Sequence, residues 1–359
     1  MALSKLKPNS FDSIVEGNPS LIINGDMVVS QRGSQSAQQT GYSAVDRFKM
    51  QGSSAARFDT SQSTDVPSGQ GFSNSLKLDC STADTSLAAG DFQQVKTILE
   101  GQDLQHLLWG TSSASNLTLT FWVKSPKTGT HNLEIEHTDA SQKNTIQYSI
   151  TTANTWQKVT LNFDGYQTTN FNNDNGSSLI VTWWLIAGST YSGGTYNENT
   201  WHNTNADRAV GQVNVGDSTS NDFYLTGVKL EIGSIATPFQ HESYSEILSK
   251  CYRYYVRYGA QTTSSGLMNM NVRTSGSAKY GVLHFPTKMR AVPSIIISSA
   301  SHYTLFFAGS SSTPTAASYQ GGTLLTAEIY WTASGGTSGD GGWIRIVNTA
   351  GYLDFDAEL

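Results

Sequence analysis

The chain has 359 residues, 14% of them charged, and its 22 Lys+Arg against 28 Asp+Glu leave a formal net charge of −6. With no cluster of basic side chains to track a phosphate backbone, nucleic acid is not expected as a partner, and no apolar run approaches the roughly 18 residues of a membrane span. Gly totals 33, and Ser, Thr and Asn crowd every segment, so the expected class is all-β, in two domains at about 150 residues each.

Residues 1–18 carry Pro8 and Gly17 with little periodicity and read as an extended arm; Met1–Ser10 holds lysines but no apolar segment of the kind a signal peptidase recognises. Strand-like runs begin at "SLIING" (Ser20). "SLKLDC" puts Cys80 in phase with Leu76 and Leu78, so Cys80, with Cys251 its only companion, reads as a buried thiol rather than half of a bridge. In "NLTLTFWVKS", Leu117, Leu119, Phe121 and Val123 fall on one side and Thr118, Thr120, Trp122 and Lys124 on the other, the pattern of a half-buried antiparallel strand. "NTIQYSI" (Ile146, Tyr148, Ile150), "WQKVTLNF" (Val159, Leu161, Phe163) and "FYLTGVKLEIG" (Val228, Leu230, Ile232) repeat it, and together these runs suit a β-sandwich.

"SLIVTWWLIAG" is apolar in both phases, with Leu179, Val181, Trp183 and Leu185 against Ile180, Thr182, Trp184 and Ile186. Either it is a central strand covered on both sides by its own domain, or one face meets a subunit or a ligand. Further on, Ser243 and Glu246 form a capping box, and apolar positions from Tyr244 through Ile247, Leu248, Cys251 and Tyr252 to Tyr255 keep helical spacing. Tyr254, Val256 and Tyr258 then alternate, so residues 243–259 read as a helix–strand joint between a first domain, 19–242, and a second, 260–359. That second β-unit has candidate strands "KYGVLHF", "PSIIISS", "LLTAEIYW", "WIRIVN" and "YLDFDAEL".

Catalytic signatures are scarce: no G-x-S-x-G, H-E-x-x-H, P-loop or G-x-G-x-x-G occurs, and the seven histidines are scattered. In "HNLEIEH", Glu134 and Glu136 share a strand face from which His131 and His137 point away, which suits a surface strand with a charged side better than a zinc site. Asp354 and Asp356, also on one face, read as a solvated edge strand rather than a glycosidase pair. The chain is not expected to be an enzyme. Aromatic residues say more, because indole and phenol rings stack on the C–H faces of sugars while neighbouring amides and charges bond the hydroxyls. Trp122, Trp156 and Trp184, with Tyr191 and Trp201 in the loop "STYSGGTYNENTWHN", form the candidate carbohydrate platform, whereas Trp183 belongs to the core. The competing reading covers these rings with loops or a neighbouring chain.

Taken in order, "LIINGDMVVSQRG", "YSAVDRF", "ILEGQDLQHLLWG", "LTLTFWVKS", "NTWQKVTL", "FYLTGVKLEIGSIATPFQH" and "CYRYYVR" resemble segments of phage tail-fibre and related virion proteins, over about residues 20–258. "FPTKMRAVPSI" and "GYLDFDAEL" are similar to a C-terminal module often joined to them. The resemblance implies a jelly-roll, carbohydrate-binding-like domain, a β-rich tip and a homotrimeric fibre subunit. Such a subunit is assembled in the host cytoplasm, sits on the tail or capsid surface, is attached to other virion proteins by its N-terminal arm, and binds host-surface polysaccharide or lipopolysaccharide without entering a membrane. The joint then buries Tyr252, Tyr254 and Tyr255 between modules or chains. The alternatives are a capsid decoration or head fibre with little or no glycan binding, and a glycan-degrading tailspike. Related modules that hold structural Ca²⁺ commonly place an acid in the last strand; here that strand reads Thr226-Gly227-Val228, leaving Asp26 and Glu231 as the obvious oxygens, so no cofactor is expected.

Overall fold

The structure, a computed structural model, describes residues 18–260, 262–274 and 277–359. The arm expected over residues 1–18 lies, apart from Asn18, outside them. The chain divides into two compact units, Met1–Tyr244 and Ser245–Leu359.

In the first unit the strands are β1 (Gln35–Gln38), β2 (Gly41–Tyr42), β3 (Lys49–Gly52), β4 (Arg57–Ser63), β5 (Ser75–Thr82), β6 (Phe92–Glu100), β7 (Leu117–Lys124), β8 (Gly129–His137), β9 (Gln142–Ile150), β10 (Gln157–Phe163), β11 (Ser177–Ala187) and β12 (Asp222–Ile232). They build two six-stranded sheets, ordered β1-β4-β5-β12-β7-β10 and β2-β3-β6-β11-β8-β9. From β6 onward the chain passes repeatedly between the sheets, and neighbouring strands pair antiparallel, the path of a jelly roll. The alternation read from sequence sets the layers. Leu117, Leu119, Phe121 and Val123 of β7 meet Leu133, Tyr148, Leu179 and Trp183 of the other sheet in one core, with the Phe121 ring edge-on to Trp183 at 5.6 Å and to Tyr148 at 5.3 Å.

Strand β11 is buried in both phases, and the reason lies within its own unit. It is flanked by β6 and β8, Trp183 enters the core, and Trp184 packs with Ala187 and Ala209 beneath Phe92 and Tyr191. Tyr191 sits on the short helix α1 (Ser189–Ser192), part of the excursion between β11 and β12. The same excursion corrects the reading of β8 as a surface strand: Arg208 grips the fully buried Glu134 with two bonds of 2.8 and 2.6 Å. His131 and His137, on the opposite face, are buried as well. "SLIING" is not a strand but a turn. Asn24 is left-handed at φ 61°, and its side chain accepts from the Val29 N–H and donates to the Val29 and Asp46 carbonyls, folding the segment back so that Ile22 and Met27 reach the core.

The boundary between the units falls at the first residue of the helix α2 (Tyr244–Tyr252), which buries Ile247 and Cys251, and the second unit continues with β13 (Tyr255–Gly259), β14 (Ser265–Thr274), β15 (Ala278–His284), β16 (Ser294–Ile297), β17 (Tyr303–Phe307), β18 (Ser310–Ser312), β19 (Ala316–Gly322), β20 (Thr326–Thr332), β21 (Gly341–Ile346) and β22 (Tyr352–Asp356). A three-stranded sheet, β13-β22-β16, and a seven-stranded one, β18-β17-β21-β14-β15-β20-β19, share a core of Val256, Phe355, Met270, Leu305, Trp331 and their neighbours. The expected joint is thus no separate segment: β13 pairs with β22 along its length, Tyr255 opposite Asp356. This also corrects the edge-strand reading of the C-terminus. β22 is the middle strand, and Asp354 is 3% exposed because the Arg257 guanidinium bonds both its oxygens at 2.6 and 2.5 Å. β14, β17, β18 and β19 had no counterpart among the sequence runs: β14 and β19 mix Ser, Asn, Gly and Ala into the apolar alternation, β18 is three serines, and β17 is only five residues long.

Candidate functional site

The outer face of the first sheet holds two of the five aromatic candidates. Trp122 points away from the core on β7, with Thr226 of β12 on one side and Lys158 of β10 on the other. Between Thr226 and Lys229 the register of β12 shifts, and at the bulge Gly227 takes φ 60°. A Cβ there would lie 2.6 Å from the Phe72 ring and 3.0 Å from the Trp122 indole, so the missing side chain leaves room for both rings beside the bulge. Phe72, Phe239 and His241 pack mutually at centroid distances of 5.1, 5.2 and 4.9 Å and wall a cleft of about 400 Å³ whose floor is Trp122 and Thr120.

The polar groups of this cleft divide into those spent on structure and those left free. Lys229 donates to the Thr237 hydroxyl (2.5 Å) and the Pro238 carbonyl (2.9 Å), and lies 3.1 Å from Glu231, pinning the segment that carries Phe239 and His241. Free, among the described residues, are the indole N–H of Trp122, the Lys158 ammonium and the Gln70 amide. The hydroxyl of Thr120 has no partner although it is buried. An aromatic floor with several unused donors and acceptors around it is equipped to stack on an apolar ring face and bond the hydroxyls at its rim.

One row along the same face, Trp156 donates its indole N–H to Asp65 at 2.9 Å, Asp65 is ion-paired to Lys124, and the Lys124 ammonium lies 4.2 Å from the Tyr224 ring centre and 5.6 Å from that of Trp156. Burial alone would raise the Asp65 carboxyl, but the hydrogen bonds from Lys124 and Trp156 hold it below the ordinary aspartate value. Trp156 is therefore on the expected face but already engaged.

The remaining candidates are packing residues. Trp184 is 0% exposed beneath Tyr191, at 5.4 Å, and the Arg208 guanidinium, at 5.1 Å, so Trp184 cannot form a platform, while the half-buried Tyr191 is its cover and packs on Phe92 at 5.3 Å. Phase alone placed Trp184 opposite the core, and it is; the excursion that follows β11 then folds back over that face. Trp201 packs on Trp109 (5.3 Å) and Tyr166 (5.1 Å) and donates to the Asp164 carbonyl. The two oxygen candidates for Ca²⁺ are also occupied or isolated. Glu231 accepts from the Thr237 N–H (2.8 Å) and hydroxyl (2.5 Å) as well as facing Lys229, while Asp26, its pKa raised by burial, lies 3.9 Å from His241. Among the described residues no group of three His, Cys, Asp or Glu is gathered that could hold a metal ion.

Sequence reading missed Phe72, Phe239, His241 and Gln70. They lie in "SGQGFSNS" and "ATPFQH", where an aromatic ring stranded among Gly, Ser and Pro was the available signal.

No protein-family model matches the chain, and no curated protein does. Among solved structures it is similar to the enzymatically active domain of tailspike protein 4 from bacteriophage CBA120 (13% identity, TM-score 0.30), aligned over 59% of this chain and 21% of that one, so this chain spans about a fifth of the tailspike's length. It is also similar to a family 11 carbohydrate-binding module from Clostridium thermocellum in complex with a mixed-linked tetrasaccharide (12%, TM-score 0.28, 57% and 98% covered). A third is a sugar-binding protein assigned as such in Bacteroides thetaiotaomicron (12%, TM-score 0.30, 59% and 99% covered). The fold assignment rests on the strand order and shared core described above.

Proposed function

We propose that the chain is a structural virion protein, a fibre subunit that binds host-surface polysaccharide or lipopolysaccharide at the Trp122 cleft of its first unit. The observation that carries the glycan reading is the cleft itself: an indole with a free N–H, an unpartnered Thr120 hydroxyl, and the uncommitted Lys158 and Gln70 around one aromatic floor. The virion reading rests on the ordered resemblance of segments over residues 20–258. It makes the protein a homotrimer on the tail or capsid surface, bound to other virion proteins through the segment before residue 19. The reading invokes no catalytic step and no cofactor; Asp354, one of the paired carboxylates, is committed to Arg257.

Adsorption to host cells or a glycan array tests the cleft. Trp122→Ala is expected to melt like the parent and bind at least tenfold more weakly, whereas Trp183→Ala, in the core, loses about 3–5 kcal/mol of stability. A folded Trp122→Ala variant that adsorbs like the parent would refute the site. Light scattering that returns the mass of one chain at micromolar concentration would refute the trimer.

A further inference from the structure

The second unit carries another aromatic face. On the seven-stranded sheet Tyr303, Leu305, Phe307, Ile344 and Ile346 point into the core, so the alternate positions of β17 and β21 point out. Phe306 and Trp343, paired in register, stack face to face at 5.4 Å and 10° between planes, and Trp343 remains 45% exposed. With the turn at Ala308–Ser311 they border an open cleft of about 520 Å³. On the next strand Asn269 lies opposite Trp343, and Asn271 lies opposite both Gly341 and, on the far side, Tyr280. A Cβ at Gly341 would meet no atom within 4 Å, so the face is open between Trp343 and Tyr280, which stand two strand spacings across and two residues along from each other, about 12 Å. Tyr280 packs on Tyr330 at 5.2 Å.

Two cations stand on these rings. The Arg345 guanidinium is 4.9 Å from the Phe306 centroid and 5.8 Å from that of Trp343, and Arg273 is 5.3 Å from Tyr280. Arg345 donates to the Ser264 hydroxyl at 3.3 Å, and among the described residues neither arginine has a carboxylate partner. The side-chain amides of Asn269 and Asn271 have no hydrogen-bond partner there either. Asp340, nearest in the chain to this end of β21, accepts from the Thr337 N–H, and the acid on the same face, Glu328, is opposite Val282 on β15.

We propose that this face is a second saccharide site, selective for chains that bear carboxylates. Trp343 and Tyr280 would stack on sugar rings along the groove, the two asparagine amides would each bond a hydroxyl as donor and acceptor, and the guanidiniums, held flat by the rings beneath them, would take a carboxylate with two parallel N–H bonds. Unpaired guanidiniums on a chain of net charge −6 give this surface a sign opposite to the whole, which complements an acidic ligand. The site is in a different unit from the Trp122 cleft and does not depend on it.

The test uses the full chain on an array of uronate- and sialate-containing saccharides, each printed beside its methyl ester. The parent should hold at least one acid about tenfold or more above its ester. Trp343→Ala should lose that binding without a change in melting temperature, Arg345→Gln should erase the preference for acid over ester, and Arg345→Lys should restore part of it. The proposal is overturned if no carboxylated saccharide is held, if acid and ester are held alike, or if folded Trp343→Ala binds like the parent. It is equally overturned if Trp343→Ala lowers the molar mass in light scattering, which would make the face a contact between copies.

Discussion

Replacing Arg208 by Ala would leave a carboxylate stranded beneath the excursion between β11 and β12. Glu134 is 0% exposed and its two oxygens are bonded by the Arg208 guanidinium at 2.6 and 2.8 Å. Removing one partner of such a pair costs about 3–5 kcal/mol, because the remaining charge stays buried. The nearest compensation is Lys96. Burial holds its ammonium down to about 8, and the charges of Glu136 and Glu134 pull it back up, so it would share Glu134 once Arg208 is gone. That places the loss near the low end, about 3 kcal/mol, or roughly 6–12 °C in Tm for a unit of this size. The assay is urea and thermal unfolding of the full chain followed by tryptophan fluorescence, since Trp184 lies 5.1 Å beneath the same guanidinium. Removing both charges in Arg208→Met/Glu134→Leu should recover most of the loss. A single variant that loses less than about 1 kcal/mol, or a double variant no more stable than the single, would show that this face is not held by a buried ion pair.

His131 predicts an acid dependence. Its ring is stacked on Tyr148 at 5.4 Å and makes one hydrogen bond, to the Lys127 carbonyl, and burial pushes its pKa down from the usual 6.5 to about 4. The unfolded ring therefore takes up a proton before the folded one, so stability is full above pH 6.5 and falls as pH drops toward 4. The loss is about 3 kcal/mol, and it should be absent from the unfolding free energy of His131→Gln measured over the same range. Gly227→Ala should lower stability by about 1–2 kcal/mol through its left-handed backbone and displace Phe72 and Trp122. Saccharide binding at the cleft should then weaken although no aromatic ring has been removed; unchanged binding would mean that the bulge does not shape the site.

Much of the sandwich was legible in the linear pattern. A strand's side chains alternate with period two, so the runs around Phe121, Tyr148, Leu161 and Leu230 declared which residues face a core before any partner strand was known. The same period decided that Trp183 is core and that Trp122 is not. What it could not decide is what lies over the other face. Trp122, Trp184 and Glu134 carry the same local signal, each opposite an aliphatic phase, yet one floors an open cleft and two are sealed under residues 189–209. The difference is set by a loop folding back across the sheet, by Arg208 reaching Glu134 over a separation of 74 residues, and by Gly227 yielding space to Phe72 from a distant loop. Those are contacts made by segments outside the strand that carries each residue, and a strand's periodicity carries no information about them. The outer faces of both units, and with them the candidate sites, were therefore decided only by tertiary structure.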